Sequence, residues 1–161
     1  MQSRRIKILF GSAIGLYMAL VCFNNIFDYG SNFQFVSMVS SMEDIFSKDK
    51  NGWRSMHSLF SHHLLYIFII LWEITTAILV ISGVLRMVKA LKSDTDTFNS
   101  SKNRLAMGIA MGILLWFVFF IIIGGEWFLM WQSKNWNGQA NAFFLTISFL
   151  LFLIYLNQPD R

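Results

Sequence analysis

The chain has 161 residues, of which 55% are apolar and only 14% charged, with a formal charge of +4. Soluble domains carry about 25% charged residues, and one core of this size could not hide so much apolar surface, so the bilayer is the better solvent. The basic excess shows no basic face; it points to membrane orientation and anionic lipid, and away from nucleic acid.

The first apolar run covers 8–27 and follows Arg4, Arg5 and Lys7. Such a start resembles a signal peptide, but the run is long and Asn24-Asn25-Ile26-Phe27 offers no small-x-small cleavage site, so a retained membrane span is expected. Cys22, the single cysteine, lies inside this run. It excludes an intramolecular disulfide and paired-cysteine redox chemistry.

The segment 28–63 is the first outer loop. Within it Phe35, Met38, Val39, Met42, Ile45 and Phe46 recur at spacings of three and four, which predicts a short amphipathic helix lying on the membrane or capping the bundle. Lys48-Asp49-Lys50-Asn51-Gly52 reads as an exposed turn. A second span covers 64–85. The cytoplasmic loop covers 86–104, and its stretch from Lys92 to Lys102 has Ser, Thr, Asp and Asn and reads as a solvated linker. A third span covers 105–127, and its residues 105–125 carry no polar side chain. The fourth covers 139–156. Each run has the length a helix needs to cross about 30 Å of hydrocarbon. The expected fold is therefore all-α: one integral membrane domain, 1–161, built as a four-helix transmembrane bundle with a short amphipathic helix in the first outer loop.

Lysine and arginine counts orient the bundle. Arg4, Arg5, Lys7, Arg86, Lys89, Lys92, Lys102, Arg104 and Arg161 fall on one side, whereas Lys48, Lys50, Arg54 and Lys134 fall on the other. This nine-to-four excess predicts a multi-pass protein with cytoplasmic N and C termini.

Glu73 is the strongest chemical anomaly. It lies mid-way along the second span, where a charge costs at least about 2.5–3.5 kcal/mol on insertion scales. It must be paired, solvated by a cavity or protonated. His62, Tyr66, Ile70 and Glu73 follow helical spacing and share a face, which is a candidate polar track from the outer surface. Asp28, His62, His63 and Glu126 lie at the outer rim and form, with Glu73, a candidate polar or proton site. His57, His62 and His63 do not have the spacing of a helical metal pair, so no metal and no cofactor is expected. Trp53, Arg54, Trp127, Trp131 and Gln132 combine indoles with polar groups on the outer face and are candidates for binding there. Gly11 and Gly15, and Gly108 and Gly112, are small-xxx-small pairs that let helices approach closely. No nucleophile triad, HExxH, phosphate loop or dinucleotide fingerprint occurs.

The pattern Phe23-Asn24-Asn25-Ile26-Phe27-Asp28-Tyr29-Gly30-Ser31-Asn32-Phe33, with Trp53-Arg54, His62-His63, Glu73 and Gly124-Gly125-Glu126-Trp127-Phe128-x-Met130-Trp131-Gln132-Ser133, resembles an uncharacterised bacterial family of predicted small integral membrane proteins. The resemblance spans nearly the whole chain. It implies four transmembrane helices and a bacterial inner membrane, and carries no activity, substrate or catalytic residue. The chain lacks the prolines expected near Ser58 and after Phe46, which bears on the turn geometry of the first outer loop.

Two functional readings follow. The first is a non-enzymatic accessory or interaction subunit, in contact with lipid and with a protein partner or a second copy. It requires Glu73 to face a helix and meet no cavity. The alternative is a small transporter, channel or proton-coupled component that uses Glu73 with the outer polar cluster. It requires a cavity leading to Glu73.

Overall fold

The computed structural model describes residues 1–160; Arg161, one of the nine cations on the terminal side, lies outside them. No strand occurs among the described residues. The helices are α1 (Gln2–Phe27), α2 (Tyr29–Ser41), α3 (Lys48–Asn51), α4 (Leu59–Lys89), α5 (Thr95–Ser101), α6 (Asn103–Leu114) with a wider continuation (Leu115–Trp127), and α7 (Gln139–Asn157). Four of these stretches are long and apolar enough to cross a membrane: α1, α4, α5 through the wide segment, and α7.

The burial pattern is that of a bundle in lipid. Leu9, Leu16 and Phe23 recur every seven residues on the outside of α1, and Leu64, Leu71, Ile78 and Leu85 do so on α4. The inward faces carry Lys7, Gly11, Gly15 and Met18 on α1, and Tyr66, Glu73, Thr76 and Gly83 on α4. A soluble bundle would put the leucines inside. In hydrocarbon, exposing Leu loses nothing, and helix association depends on close packing and polar contacts.

α4 is the central element and packs on both α1 and α6. α7 packs on α6 and its continuation, while α1 and α7 meet only lightly, so a groove runs between them. The two glycine pairs do not pack against each other. Gly11 and Gly15 face α4, where an added Cβ on Gly11 would lie 3.0 Å from Val84 and 2.8 Å from Leu105. Gly108 also faces α4, with its Cβ position 2.8 Å from the Val80 backbone nitrogen, and the Cβ position of Gly112 lies 2.5 Å from the Phe149 ring of α7. The closest approach belongs to Gly83, whose Cβ position is 2.4 Å from the Leu105 backbone nitrogen.

Three local features differ from the sequence expectation. The loop before the third span contains α5, because Asp94 caps it: its carboxylate accepts from the Thr97 amide at 2.9 Å and hydroxyl at 2.6 Å. Phe98 from this helix is fully buried, so the segment is a packed element and not a solvated linker. The amphipathic helix of the loop 28–63 stops at Ser41, because Met42 adopts the left-handed conformation at φ 56°. Third, Leu115–Trp127 winds as a π-helix and ends with the Phe128 amide donating to the Ile123 carbonyl, five residues back, at 2.9 Å. Near the α-to-π junction the Trp72 indole donates to the Met111 carbonyl at 3.0 Å, keeping that backbone group partnered inside the bundle.

Candidate functional site

Glu73 lies near the middle of α4 with 1% of its surface exposed. Its Oε2 accepts a 2.6 Å hydrogen bond from Asn25 Nδ2 on α1. Asn25 is fixed in turn by Tyr66, whose hydroxyl donates to the Asn25 carbonyl at 2.9 Å and reaches Oδ1 at 3.3 Å. Asn25 belongs to the last turn of α1, where backbone carbonyls have no intrahelical partner. Tyr66 fills that vacancy and thereby sets the amide that holds Glu73. No ion pair to Glu73 forms among the described residues.

A cavity of about 370 Å³ opens beside this carboxylate. Its polar lining is Asn24 and Asn25 from α1, Asn32 from α2, Glu73, and Asn141 from the first turn of α7. Tyr17, Phe35, Trp116 and Phe120 supply aromatic walls. Trp116 is nine-tenths buried and its indole N–H has no partner.

The polar track proposed from helical spacing is half formed. Tyr66 and Glu73 are joined, through Asn25. His62 turns away: its Nε2 lies 2.8 Å from the Met56 carbonyl, and because a carbonyl only accepts, Nε2 carries the proton. His62 thus anchors the loop that precedes α4. His63 takes the other direction, stacking on Phe33 at 4.1 Å and meeting the Tyr29 hydroxyl through Nδ1 at 2.8 Å. The Tyr29 and Tyr66 rings touch edge to face at 4.7 Å, so aromatic packing links the two layers. Asp28 and Glu126 are exposed, and no hydrogen bond or ion pair among the described residues joins either carboxylate to His62, His63 or Glu73.

The candidates Trp53, Arg54, Trp127, Trp131 and Gln132 assemble into a cap at the end of the bundle away from the termini. The Arg54 guanidinium lies 5.7 Å from the Trp53 ring and 5.8 Å from that of Trp127, and donates to the Glu126 carbonyl at 3.3 Å. Trp131 meets Phe46 edge to face at 5.8 Å. Gln132 Oε1 accepts from the Ser47 hydroxyl at 2.7 Å and from its amide at 3.2 Å. Asp44 accepts from Ser133 Oγ at 2.6 Å and from the Asn135 amide at 3.3 Å. The Ser133 bond is the main reason the Asp44 carboxyl titrates below its ordinary value. Beneath these bonds Met42, Ile45, Phe128 and Leu129 form a small core of their own.

A second charged cluster closes the terminal face, and the sequence had offered its cations only as topology signals. Lys7 donates to Asp160 at 2.8 Å and to the Gln158 carbonyl at 2.6 Å. Lys102 pairs with the same carboxylate and donates to Asn99 Oδ1 at 2.6 Å. Arg4 donates to the Ser93 carbonyl at 2.7 Å and lies over Phe98 at 4.6 Å. Burial pushes the Asp160 carboxyl up, but the bonds from Lys102 and Lys7 outweigh it and hold it at about 2.

A family model described as "Predicted small integral membrane protein (DUF2165)" matches residues 3–159. The chain belongs to this family. The matched range includes the whole Glu73 cavity, the cap, and Arg4, Lys7 and Lys102 of the terminal cluster. No curated protein and no solved structure matches the chain.

Asn24, Asn25, Asn32, Asn141, Tyr17 and Trp116 are among the cavity residues to which sequence reasoning gave no site role. Asn24 and Asn25 carried a signal, since two amides closing an apolar run need a partner in lipid. Asn141 and Trp116 gave none, because their convergence depends on how α7 and the π-helical segment pack.

Proposed function

We propose that this family member is a small multi-pass membrane protein of the proton- or cation-coupled kind, with Glu73 as its exchanging group. The observation that carries this reading is an intramembrane acid with no basic partner among the described residues, standing at the wall of a cavity lined by four asparagines. A carboxylate kept only for helix packing needs no such space. Asn24, Asn25, Asn32 and Asn141 can hydrate or replace the water around a cation, or relay a proton through water, on the way to Glu73. In the orientation expected from the lysine and arginine balance, both termini are cytoplasmic in a bacterial inner membrane, and Asn24, Asn25, Asn32 and Asn141 lie in the outer half of the bundle.

The test is proton or alkali-cation flux in proteoliposomes, wild type against Glu73→Gln. Flux that disappears in the variant supports the reading. Absence of flux in both proteins sinks it. Flux unchanged by Glu73→Gln removes Glu73 from the mechanism.

A second reading, the non-enzymatic accessory subunit, draws support from the cap. Trp53 is 75% exposed and Trp127 47%, with Arg54 between them, and such indole–guanidinium sets are favoured at protein interfaces. A pull-down in mild detergent tests it, and a protein that migrates alone at every concentration would count against it.

A further inference from the structure

We propose that the Glu73 cavity and the groove between α1 and α7 together form one binding site for a lipophilic organic cation. The charged centre sits at Glu73 and the apolar substituents lie in the groove. This names the substrate class of the exchange site above and rests on that reading.

Four observations converge on this class. The Glu73 carboxylate has no counter-charge: its Oε2 is held by a neutral amide, and its Oε1 makes no hydrogen bond among the described residues. The titratable neighbours on the packed helices are Tyr17 and Cys22 of α1 and Tyr66 of α4. α2, the π-helical segment and α7 present Asn32, Trp116 and Asn141. None of these groups is basic, so the site as a whole selects positive charge.

The walls are aromatic. Tyr17, Phe35, Trp116 and Phe120 stand around the same space as the carboxylate. Ring faces attract a weakly hydrated cation, and the effect grows when water is excluded. The asparagine carbonyls could serve a metal ion, but the site has a single carboxylate, no group of three His, Cys, Asp or Glu side chains stands among the described residues, and a small, strongly hydrated ion gains nothing from the rings or the apolar groove. An organic ammonium or phosphonium fits it better.

The groove supplies room for the remainder of such a molecule. It has a volume of about 470 Å³, is lined by Phe10, Ala13, Ile14, Phe149, Phe152 and their neighbours, and shares Tyr17 with the lining of the cavity. It lies on the side of the bundle where α1 and α7 barely touch. A hydrophobic cation dissolved in the lipid therefore has a lateral way in.

Binding and protonation compete for one carboxylate. When Glu73 is protonated, the incoming cation takes the place of the proton, which leaves to water; charge balances, and no other reactant is needed. Affinity for the cation consequently rises with pH until Glu73 is fully ionised, and each bound cation releases up to one proton.

The probe is radiolabelled tetraphenylphosphonium, measured by equilibrium dialysis on the full-length protein in mild detergent, against protein-free micelles. Saturable binding at one site per chain is expected, with affinity that increases with pH. Glu73→Gln weakens it roughly 100-fold or more, as loss of a buried charge partner does. Glu73→Asp, which keeps the charge, retains much of the affinity, and this separates lost charge from lost fold. Ala13→Trp, which fills the groove, weakens tetraphenylphosphonium binding relative to wild type.

Equal binding by wild type and a monodisperse Glu73→Gln protein overturns the proposal, as does binding no greater than in empty micelles. Glu73-dependent proton flux without phosphonium binding overturns this inference alone and leaves the exchange reading standing. Glu73-dependent phosphonium binding without any flux does the reverse.

Discussion

Gly83→Ala provides a sharp test of how the bundle is held together. At this position an added methyl group would lie 2.4 Å from the Leu105 nitrogen, 2.6 Å from its Cα and 2.8 Å from its Cβ. Ordinary carbon contacts are about 3.5–4.0 Å, so α4 and α6 must part by about 1 Å. Inserting a methylene into a packed core costs about 1–3 kcal/mol. Here the obstacle is mostly backbone, so no rotamer change relieves it and the upper end applies. Alanine returns about 0.5–1 kcal/mol through its better helix propensity. The net destabilisation is about 2 kcal/mol, which lowers the melting temperature by about 4–8 °C for a chain of this size. Intrinsic fluorescence melting in mild detergent reads this directly. Gly30→Ala is the matched control: nothing lies within 4 Å of its Cβ position, so it should melt at or slightly above the wild-type temperature. A Gly83→Ala protein as stable as wild type would refute close backbone approach as the principle of this interface.

Asp160→Asn removes the counter-charge shared by two buried lysines. Breaking a buried pair in this way costs about 3–5 kcal/mol, and the loss should appear as a lower unfolding midpoint in a denaturant titration. The pH dependence has a definite sign. The folded Asp160 carboxyl is held at about 2, below its unfolded value of about 3.9, so its contribution is complete above about pH 4 and is lost as pH falls toward 2. Asp44→Asn weakens the bonds to Ser133 and Asn135, and hydrogen exchange at the Asn135 amide should quicken while that in α4 does not change. Leu129 sits at φ 55°, and Leu129→Val, which is β-branched, should destabilise the cap by about 1–2 kcal/mol, read as a lower melting temperature. For topology, an impermeant maleimide should label Asn51→Cys from outside intact cells and leave Thr95→Cys untouched; the reverse pattern would invert the orientation.

The four long runs were legible because apolar length in lipid is nearly decisive. Glu73 stood out for the complementary reason, a charge where none is tolerated without help. The cap was also foreshadowed: Phe35, Met38, Val39 and Met42 showed one apolar helical face, and the indole-rich stretch after Gly125 needed a place at the interface. The partners were not legible. That Asn25 answers Glu73, or that Asp160 answers Lys7, depends on contacts 48 and 153 residues apart along the chain, which no local pattern encodes. His62 and His63 misled for a related reason. Adjacent residues on a helix point about 100° apart, and the structure uses the divergence to hold a loop with one ring and α2 with the other. The π-helical winding of Leu115–Trp127 had no signal in a run of uniformly apolar side chains.

The terminal cluster also bears on the order in which the molecule is made. Lys7 and Lys102 emerge long before Asp160, the acid that later neutralises both. While the early spans are inserting, these lysines stand uncompensated and count in full among the cations that choose the side of the membrane. Once α7 has crossed, the same charges are withdrawn from water and locked together. On the lysine and arginine reading of topology they would be used twice in succession: first as an address for the nascent chain, then as the clasp that holds Asp160.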